Sequence, residues 1–186
     1  MAATETTKLA LGFTAPDFSL PNATQEGVVS AKDMFAGQPT VVVFMCNHCP
    51  FVVHLLESLV AFAAECKARG VDVMAISSND VANYPQDGFE HMQVLAKRHG
   101  FTFPYLYDKS QEVARAYDAA CTPDFSVFDR DSKCVYRGQY DGSRPGNDVP
   151  VTGDDLRRVV DLLLAGEEVP ATGQAPSLGC NIKWKR

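Results

Sequence analysis

A continuous apolar and β-branched run at residues 40–45 (TVVVFM) is followed, four residues later, by a helical pattern from Pro50 to Arg69. Such a run is typical of a strand that is covered on both faces, as in a central parallel sheet. Pro50 at the first helical position and Gly70 after the last one are the expected helix boundaries. This strand–helix unit restricts the chain to folds built on a covered sheet.

The rest of the 186-residue chain continues the alternation of strands and helices. Further strands are predicted at residues 18–20, 28–30, 71–77, 105–107, 125–129 and 134–139, and further helices at 88–99, 110–120 and about 153–165. Asp87 is the predicted cap of the second helix, and Thr152 with Asp155 forms a predicted capping box for the last one. The alternation predicts one α/β domain, 1–186, with helices on both faces of the sheet.

The ends of this predicted domain differ from its middle. The first two strands form an N-terminal β-hairpin, and the tight turn at residues 130–132 makes the last two strands antiparallel, so the central sheet is mixed. Residues 1–14 are predicted to be a lead-in and residues 166–186 a C-terminal tail, because neither shows a clear period.

Composition excludes several classes of function. Lys and Arg total 17 against 23 Asp and Glu, for a net charge of −6. This charge is unlike that of nucleic-acid-binding proteins and is repelled by anionic membranes. The sequence has no long apolar run, and its first eleven residues do not resemble a signal peptide. We therefore expect a cytoplasmic protein, in which the six cysteines are too few for a disulfide scaffold and indicate redox chemistry or metal binding.

Two of these cysteines lie where the first covered strand meets its helix, in the segment Cys46-Asn47-His48-Cys49-Pro50. Sulfurs three residues apart at a helix start can form a disulfide. The free amides of the first turn, the helix dipole and a protonated His48 all favour a thiolate. The position predicts a lowered pKa for Cys46 and therefore a nucleophile for disulfide exchange.

Metal binding is the alternative interpretation of this segment. Cys46 and Cys49 could be half of a zinc site, with His48 and His54 nearby, but a second ligand pair at the usual spacing is absent from the sequence. Haem attachment requires His where Pro50 stands. We therefore predict neither a metal nor a cofactor.

A second motif, Cys121-Thr122-Pro123-Asp124-Phe125, precedes a predicted strand. Here the sequence resembles the thioredoxin superfamily, in which the residue that matches Pro123 is a cis-proline packed against the cysteine pair. The resemblance implies a cis Thr122–Pro123 bond and a Thr122 backbone that is free to pair with an extended substrate. Proline also brings no N–H group to the sulfurs.

The resemblance is closer to the peroxiredoxin-like, redoxin or AhpC/TSA-related branch of that superfamily, and it covers nearly the whole chain. The segments that carry it are Pro16-Asp17-Phe18, 46–50, 121–125, 141–147 and the tail segment 176–185 (PSLGCNIKWK). It implies a thioredoxin fold of the peroxiredoxin-like type.

The chain departs from peroxiredoxins at the residues that handle peroxide. Cys49, which precedes Pro50, matches the peroxide-attacking cysteine. Cys46 replaces the family's threonine, Val42 replaces its proline, and the peroxide-binding arginine has no counterpart beside Thr122. Without these donors the charge that develops on a peroxide oxygen is poorly stabilised. The departures therefore favour thiol–disulfide exchange.

The resulting prediction is an oxidoreductase in which Cys46 is the nucleophile and Cys49 resolves the mixed disulfide. His48 and Pro50 are expected to tune the thiolate. Strongly oxidising thioredoxin-like oxidases also have His at this position, so a high reduction potential is expected. The partners are a disulfide or thiol protein or a low-molecular-weight thiol. The alternatives are a thiol peroxidase that uses Cys49, antioxidant in role, and a redox-sensing or metal-binding interaction protein.

The other cysteines have weaker claims. Cys121 and Cys180 are candidate accessory thiols; a buried thiol and tail packing, respectively, are their structural alternatives. Cys66 and Cys134 are predicted core residues. The sequence leaves the substrate, the direction of electron flow, peroxide reduction and the oligomeric state open.

Overall fold

The computed structural model describes residues 3–185 and contains ten strands, five α-helices and one short 3-10 helix at Pro85–Asp87. The strands are β1 Ala3–Glu5, β2 Ser19–Pro21, β3 Val28–Ser30, β4 Thr40–Phe44, β5 Asp72–Ser77, β6 Tyr105–Tyr107, β7 Cys121–Thr122, β8 Asp124–Phe128, β9 Cys134–Gly138 and β10 Leu178–Asn181. The helices are α1 Ala31–Met34, α2 Pro50–Ala68, α3 Phe89–His99, α4 Glu112–Ala116 and α5 Asp154–Ala165. None of the helices within residues 3–185 is both long enough and apolar enough to cross a membrane.

A five-stranded mixed sheet forms the centre of the molecule, in the order β6-β5-β4-β8-β9. Strands β4, β5 and β6 are parallel, whereas β8 and β9 run antiparallel to their neighbours. Strands β2 and β3 form the predicted antiparallel hairpin beside it. The mixed α/β architecture is that of a thioredoxin-like fold, as predicted.

Strand β4 is buried on both sides, as its apolar run predicts. Val41 and Val43 belong to a core that includes Leu59 of α2 and Leu156 of α5. The alternate residues of β4 face a second core, which contains residues of α1 and α4. Successive strand residues point to opposite faces, so every side chain of β4 is buried when both faces are covered.

The ends of the chain form strands that the sequence pattern does not predict. In a separate three-stranded sheet, β10 of the tail lies between β1 of the lead-in and β7, and both pairings are antiparallel. These strands are two to four residues long, so they have too few residues to show a period of their own. The sheet brings both chain ends to the loop that contains Pro123.

Two of the predicted helix caps are wrong. Asp87 lies in the 3-10 helix, and α3 begins after Gly88 without a side-chain cap. Helix α5 begins after Gly153, where the Oδ2 atom of Asp141 accepts the N–H groups of Thr152 and Gly153 at 2.7 and 2.6 Å. A carboxylate distant in sequence therefore replaces the predicted capping box.

One predicted helix is shorter than expected. Helix α4 spans only Glu112–Ala116 of the predicted 110–120 segment. Asp118 has a positive φ of 51°, which is incompatible with continuation of a right-handed helix.

Candidate active site

Strand β4 and helix α2 place both cysteines of the Cys-x-x-Cys segment at one end of the sheet. The strand ends at Phe44, Cys49 caps α2, and Pro50 opens the helix as predicted. Cys46 and Cys49 are 1% and 0% exposed, so the pair lies beneath the surface. All six cysteines are in the free thiol form.

The loop between β7 and β8 meets the two sulfurs. The Thr122–Pro123 peptide bond is cis, as the resemblance implies. The Sγ atom of Cys46 lies 3.6 Å from Oγ1 of Thr122, and the Sγ atom of Cys49 lies 3.0 Å from the Thr122 carbonyl oxygen. Residues that are 76 and 73 positions apart in sequence are thus brought into contact.

The Thr122 backbone is not free, contrary to expectation. Thr122 pairs with Cys180 in the β7–β10 ladder, and its carbonyl oxygen also faces the Cys49 thiol. The C-terminal strand occupies the edge that the resemblance implied would be open to a substrate.

Asp87 is a functional candidate that sequence reasoning missed. It is completely buried, and its carboxylate lies 2.7 Å from the Nδ1 atom of His48. It also accepts hydrogen bonds from the Asn47 N–H at 2.9 Å and from the Asn79 side-chain amide at 2.8 Å. A buried carboxylate requires such partners, so Asp87 fixes both residues between the two cysteines. In the sequence Asp87 is only a polar residue before a helix, a pattern that predicts a helix cap and not a partner for His48.

His48 is held from two sides. Its ring stacks on Tyr84, with centroids 5.7 Å apart and planes 9° apart, while Asp87 binds its Nδ1 atom. The same nitrogen lies 3.8 Å from the Cys46 sulfur. The predicted proximity of His48 to the thiols is therefore present, and it depends on tertiary contacts of the ring.

The surroundings of the two thiols shift their pKa values in opposite directions. The hydrogen bond from the Cys46 thiol lowers the pKa of Cys49 to about 4, against the effect of burial, and Thr122 and Cys180 lower it further. The same hydrogen bond, together with burial and the Asp87 carboxylate, raises the pKa of Cys46.

The predicted lowering of the Cys46 pKa is therefore wrong. Cys49 occupies the N-cap position of α2 without a side-chain capping hydrogen bond, and the donors that lower its pKa are Cys46, Thr122 and Cys180. Cys46 lies three residues earlier, beside a carboxylate that the sequence pattern did not bring to the site.

The other four cysteines differ in their relation to the pair. Cys180 belongs to the same buried cluster as Cys49 and pairs with Thr122, whereas the Cys121 thiol donates to the Pro123 carbonyl oxygen at 3.5 Å. Burial raises the pKa of Cys121 and raises those of Cys66 and Cys134 to about 12. A raised pKa leaves less of a thiol in the reactive thiolate form.

One group of side chains has the composition of a metal site. The potential ligand atoms of Cys46, His48 and Asp87 lie within 4.8 Å of one another. The Nδ1 atom of His48 is already hydrogen-bonded to Asp87, so in the observed geometry the carboxylate is the partner of the imidazole ring. His54, the other histidine considered as a ligand, instead bonds Ser143 at 2.7 Å.

A shallow depression of about 10 Å³ is lined in part by Pro123, together with Phe51 of α2, Leu178 of β10 and Arg144.

Comparison with known proteins agrees with this fold. Residues 10–156 match the model of the Redoxin family. An uncharacterized conserved protein from Geobacillus kaustophilus is 52% identical, with a TM-score of 0.96 over 100% of this chain and 97% of that one. A hypothetical protein from Sinorhizobium meliloti 1021 is 45% identical, with a TM-score of 0.94 over 98% of each chain.

A relative with a named activity is more distant. The thiol-disulfide oxidoreductase ResA of Geobacillus thermodenitrificans is 27% identical over 133 residues, which are 70% of each chain. The Redoxin match spans β2 to the start of α5 and includes both cysteines of the pair and Pro123. The chain belongs to the Redoxin family.

Proposed function

We propose that this protein is a thiol–disulfide oxidoreductase whose exchanging pair is Cys46 and Cys49. The observation that carries the proposal is the contact of both sulfurs with Thr122, at 3.6 and 3.0 Å, beside the cis-proline. Two thiols in contact can close into a disulfide and reopen, which is the reaction that the relative ResA is named for.

The charge distribution assigns different roles to the two sulfurs. When a substrate thiolate attacks the Cys46–Cys49 disulfide at Cys46, the bond between them breaks and Cys49 leaves as a thiolate. A leaving thiol of low pKa departs faster, and Cys49 is the thiol whose pKa is lowered to about 4. The attack leaves the substrate joined to Cys46 in a mixed disulfide. The second substrate thiol then forms a disulfide with the first, displaces Cys46 and leaves the protein reduced.

In the opposite direction Cys46 is the attacking sulfur. It loses its proton to solvent, attacks one sulfur of a substrate disulfide and forms a mixed disulfide, while the other substrate sulfur leaves as a thiolate and takes up a proton. The Cys49 thiolate then attacks Cys46 and releases the second substrate sulfur. Cys46 is thus the sulfur that meets the substrate in both directions, and Cys49 is the sulfur that opens or closes the protein disulfide.

The experiment that tests the proposal is insulin reduction with dithiothreitol as electron donor. The wild-type protein is expected to turn over, and both Cys46→Ser and Cys49→Ser are expected to lose turnover. Cys134→Ser is the matched control, because it removes an equally buried thiol from β9. Cys49→Ser should also accumulate a mixed disulfide at Cys46, identified by mass spectrometry. Wild-type turnover in Cys46→Ser would refute the assignment.

Peroxide reduction is a second candidate, favoured by the low pKa of Cys49 directly before Pro50. In that reaction the Cys49 thiolate attacks the peroxide, becomes a sulfenic acid and is resolved by a neighbouring thiol with loss of water. Peroxide-dependent dimedone labelling of Cys49 in Cys46→Ser, with catalytic peroxide consumption by the wild type, would support it. A protein that exchanges disulfides without consuming peroxide would exclude it.

A further inference from the structure

Strand β10 lies directly on the loop that carries the cis-proline. Cys180 pairs with Thr122, and Asn181 pairs with Cys121. A Cβ atom on Gly179 would clash with the Thr122 carbonyl oxygen, so only glycine permits this approach. The tail strand therefore occupies the position beside Pro123 that an extended partner segment would otherwise take.

This strand brings a third sulfur to the exchanging pair. Cys180 is only 6% exposed and belongs to the same buried cluster as Cys46 and Cys49. It pairs with Thr122, whose carbonyl oxygen lies 3.0 Å from the Cys49 sulfur. Burial and the hydrogen bond to Cys49 raise the pKa of Cys180 to about 11.

We propose that Cys180 is a third exchanging thiol, which converts the Cys46–Cys49 disulfide into a Cys49–Cys180 disulfide. The inference rests on the proposed function, because the first disulfide is the product of that reaction. The Cys180 sulfur attacks Cys49, the 49–180 bond forms, and the 46–49 bond breaks. The proton of Cys180 passes to the released Cys46 sulfur, and no electrons are gained or lost.

The isomerisation separates the oxidation state of the protein from the state of Cys46. In the second isomer the protein still holds one disulfide, yet Cys46 is again a thiol. A substrate thiol then no longer finds a disulfide at Cys46, so the tail strand stores the oxidising equivalent away from the substrate-facing sulfur. The Cys121 thiol instead donates to the Pro123 carbonyl oxygen at 3.5 Å.

Mass spectrometry of the oxidised full-length protein tests the inference. The protein is oxidised with diamide, quenched in acid, alkylated and digested without reduction. Wild type is expected to contain both disulfides, with Cys46 alkylated in the 49–180 isomer. Cys46→Ser and Cys46→Ala should both form the 49–180 disulfide, and Cys180→Ser should lose the Cys46 alkylation. The matched control Cys121→Ser should retain both isomers.

The variants separate failure of this inference from failure of the proposed function. The isomerisation alone is overturned if the 49–180 disulfide is absent from wild type and from both Cys46 variants while Cys180→Ser still forms the 46–49 disulfide. Absence of the 46–49 disulfide from Cys180→Ser, with a native circular dichroism spectrum, overturns the proposed function. The wild-type map decides the matter even if a substituted protein fails to fold.

Discussion

Asp87 should control the acidity of Cys46, and replacing it by Asn measures that control. The carboxylate is fully buried, and one of its oxygen atoms lies within 4.8 Å of the Cys46 sulfur. Unit charges at that distance interact by about 3.5 kcal/mol at an effective dielectric constant of about 20. This energy corresponds to about 2.5 pKa units. Because the negative carboxylate opposes a thiolate, Asp87→Asn should lower the Cys46 pKa.

The assay is the pH dependence of iodoacetamide alkylation at Cys46, followed by mass spectrometry. It is run in a Cys49→Ser background, which removes the thiol partner, and the expected fall in the Cys46 pKa is roughly two units. Repeating it with His48→Ala removes any response of the ring to the lost carboxylate. Asp108→Asn is the matched control, because Asp108 is equally buried and accepts hydrogen bonds from Ser78 and Ala114 instead.

The reasoning is refuted if Asp87→Asn leaves the Cys46 pKa within about half a unit of its parent in both backgrounds, or raises it. An equal fall in Asp108→Asn would also refute it, because the effect would then follow any loss of a buried carboxylate. Either result would remove Asp87 as the reason that Cys46 departs from its predicted acidity.

Three further predictions concern stability, measured as the free energy of unfolding in urea. Gly179→Ala should cost roughly 1–3 kcal/mol through its clash with a carbonyl oxygen, whereas Gly142→Ala, with open space around its Cα, should cost less. As pH rises from about 4 towards 9, the reduced wild type should become more stable relative to Cys49→Ser, because folding lowers the pKa of Cys49 from 9.0 to about 4. A stability difference that does not change with pH contradicts this. Leu59→Ala, at a fully buried site, should cost roughly 2–5 kcal/mol, and equal loss in the exposed Val53→Ala would contradict the assigned core.

Local patterns in the sequence were sufficient to predict the central sheet and its main helix. The strand at β4 follows from its apolar run, and the start of α2 follows from Pro50. Both signals depend on residues within a few positions of each other, so they are readable without knowledge of the fold. The cis bond before Pro123 was different, because it was implied by family resemblance and not by local pattern.

Contacts between distant segments could not be predicted in the same way. Asp87 meets Asn47 across 40 residues, and the carboxylate that caps α5 belongs to Asp141, twelve positions before Gly153. Strand β10 forms only because β1 and β7 flank it, and four residues carry too little periodicity to indicate a strand.

The sequence by itself determined an α/β fold with a cysteine pair at the junction of a covered strand and a long helix. The tertiary structure decided the surroundings that set the acidity of each thiol. Cys46 lies beside a buried carboxylate, while Cys49 receives hydrogen bonds from Cys46 and Cys180. The acidity of a thiol depends on burial and on charges and donors within a few ångströms. At this site most of those groups come from segments far away along the chain.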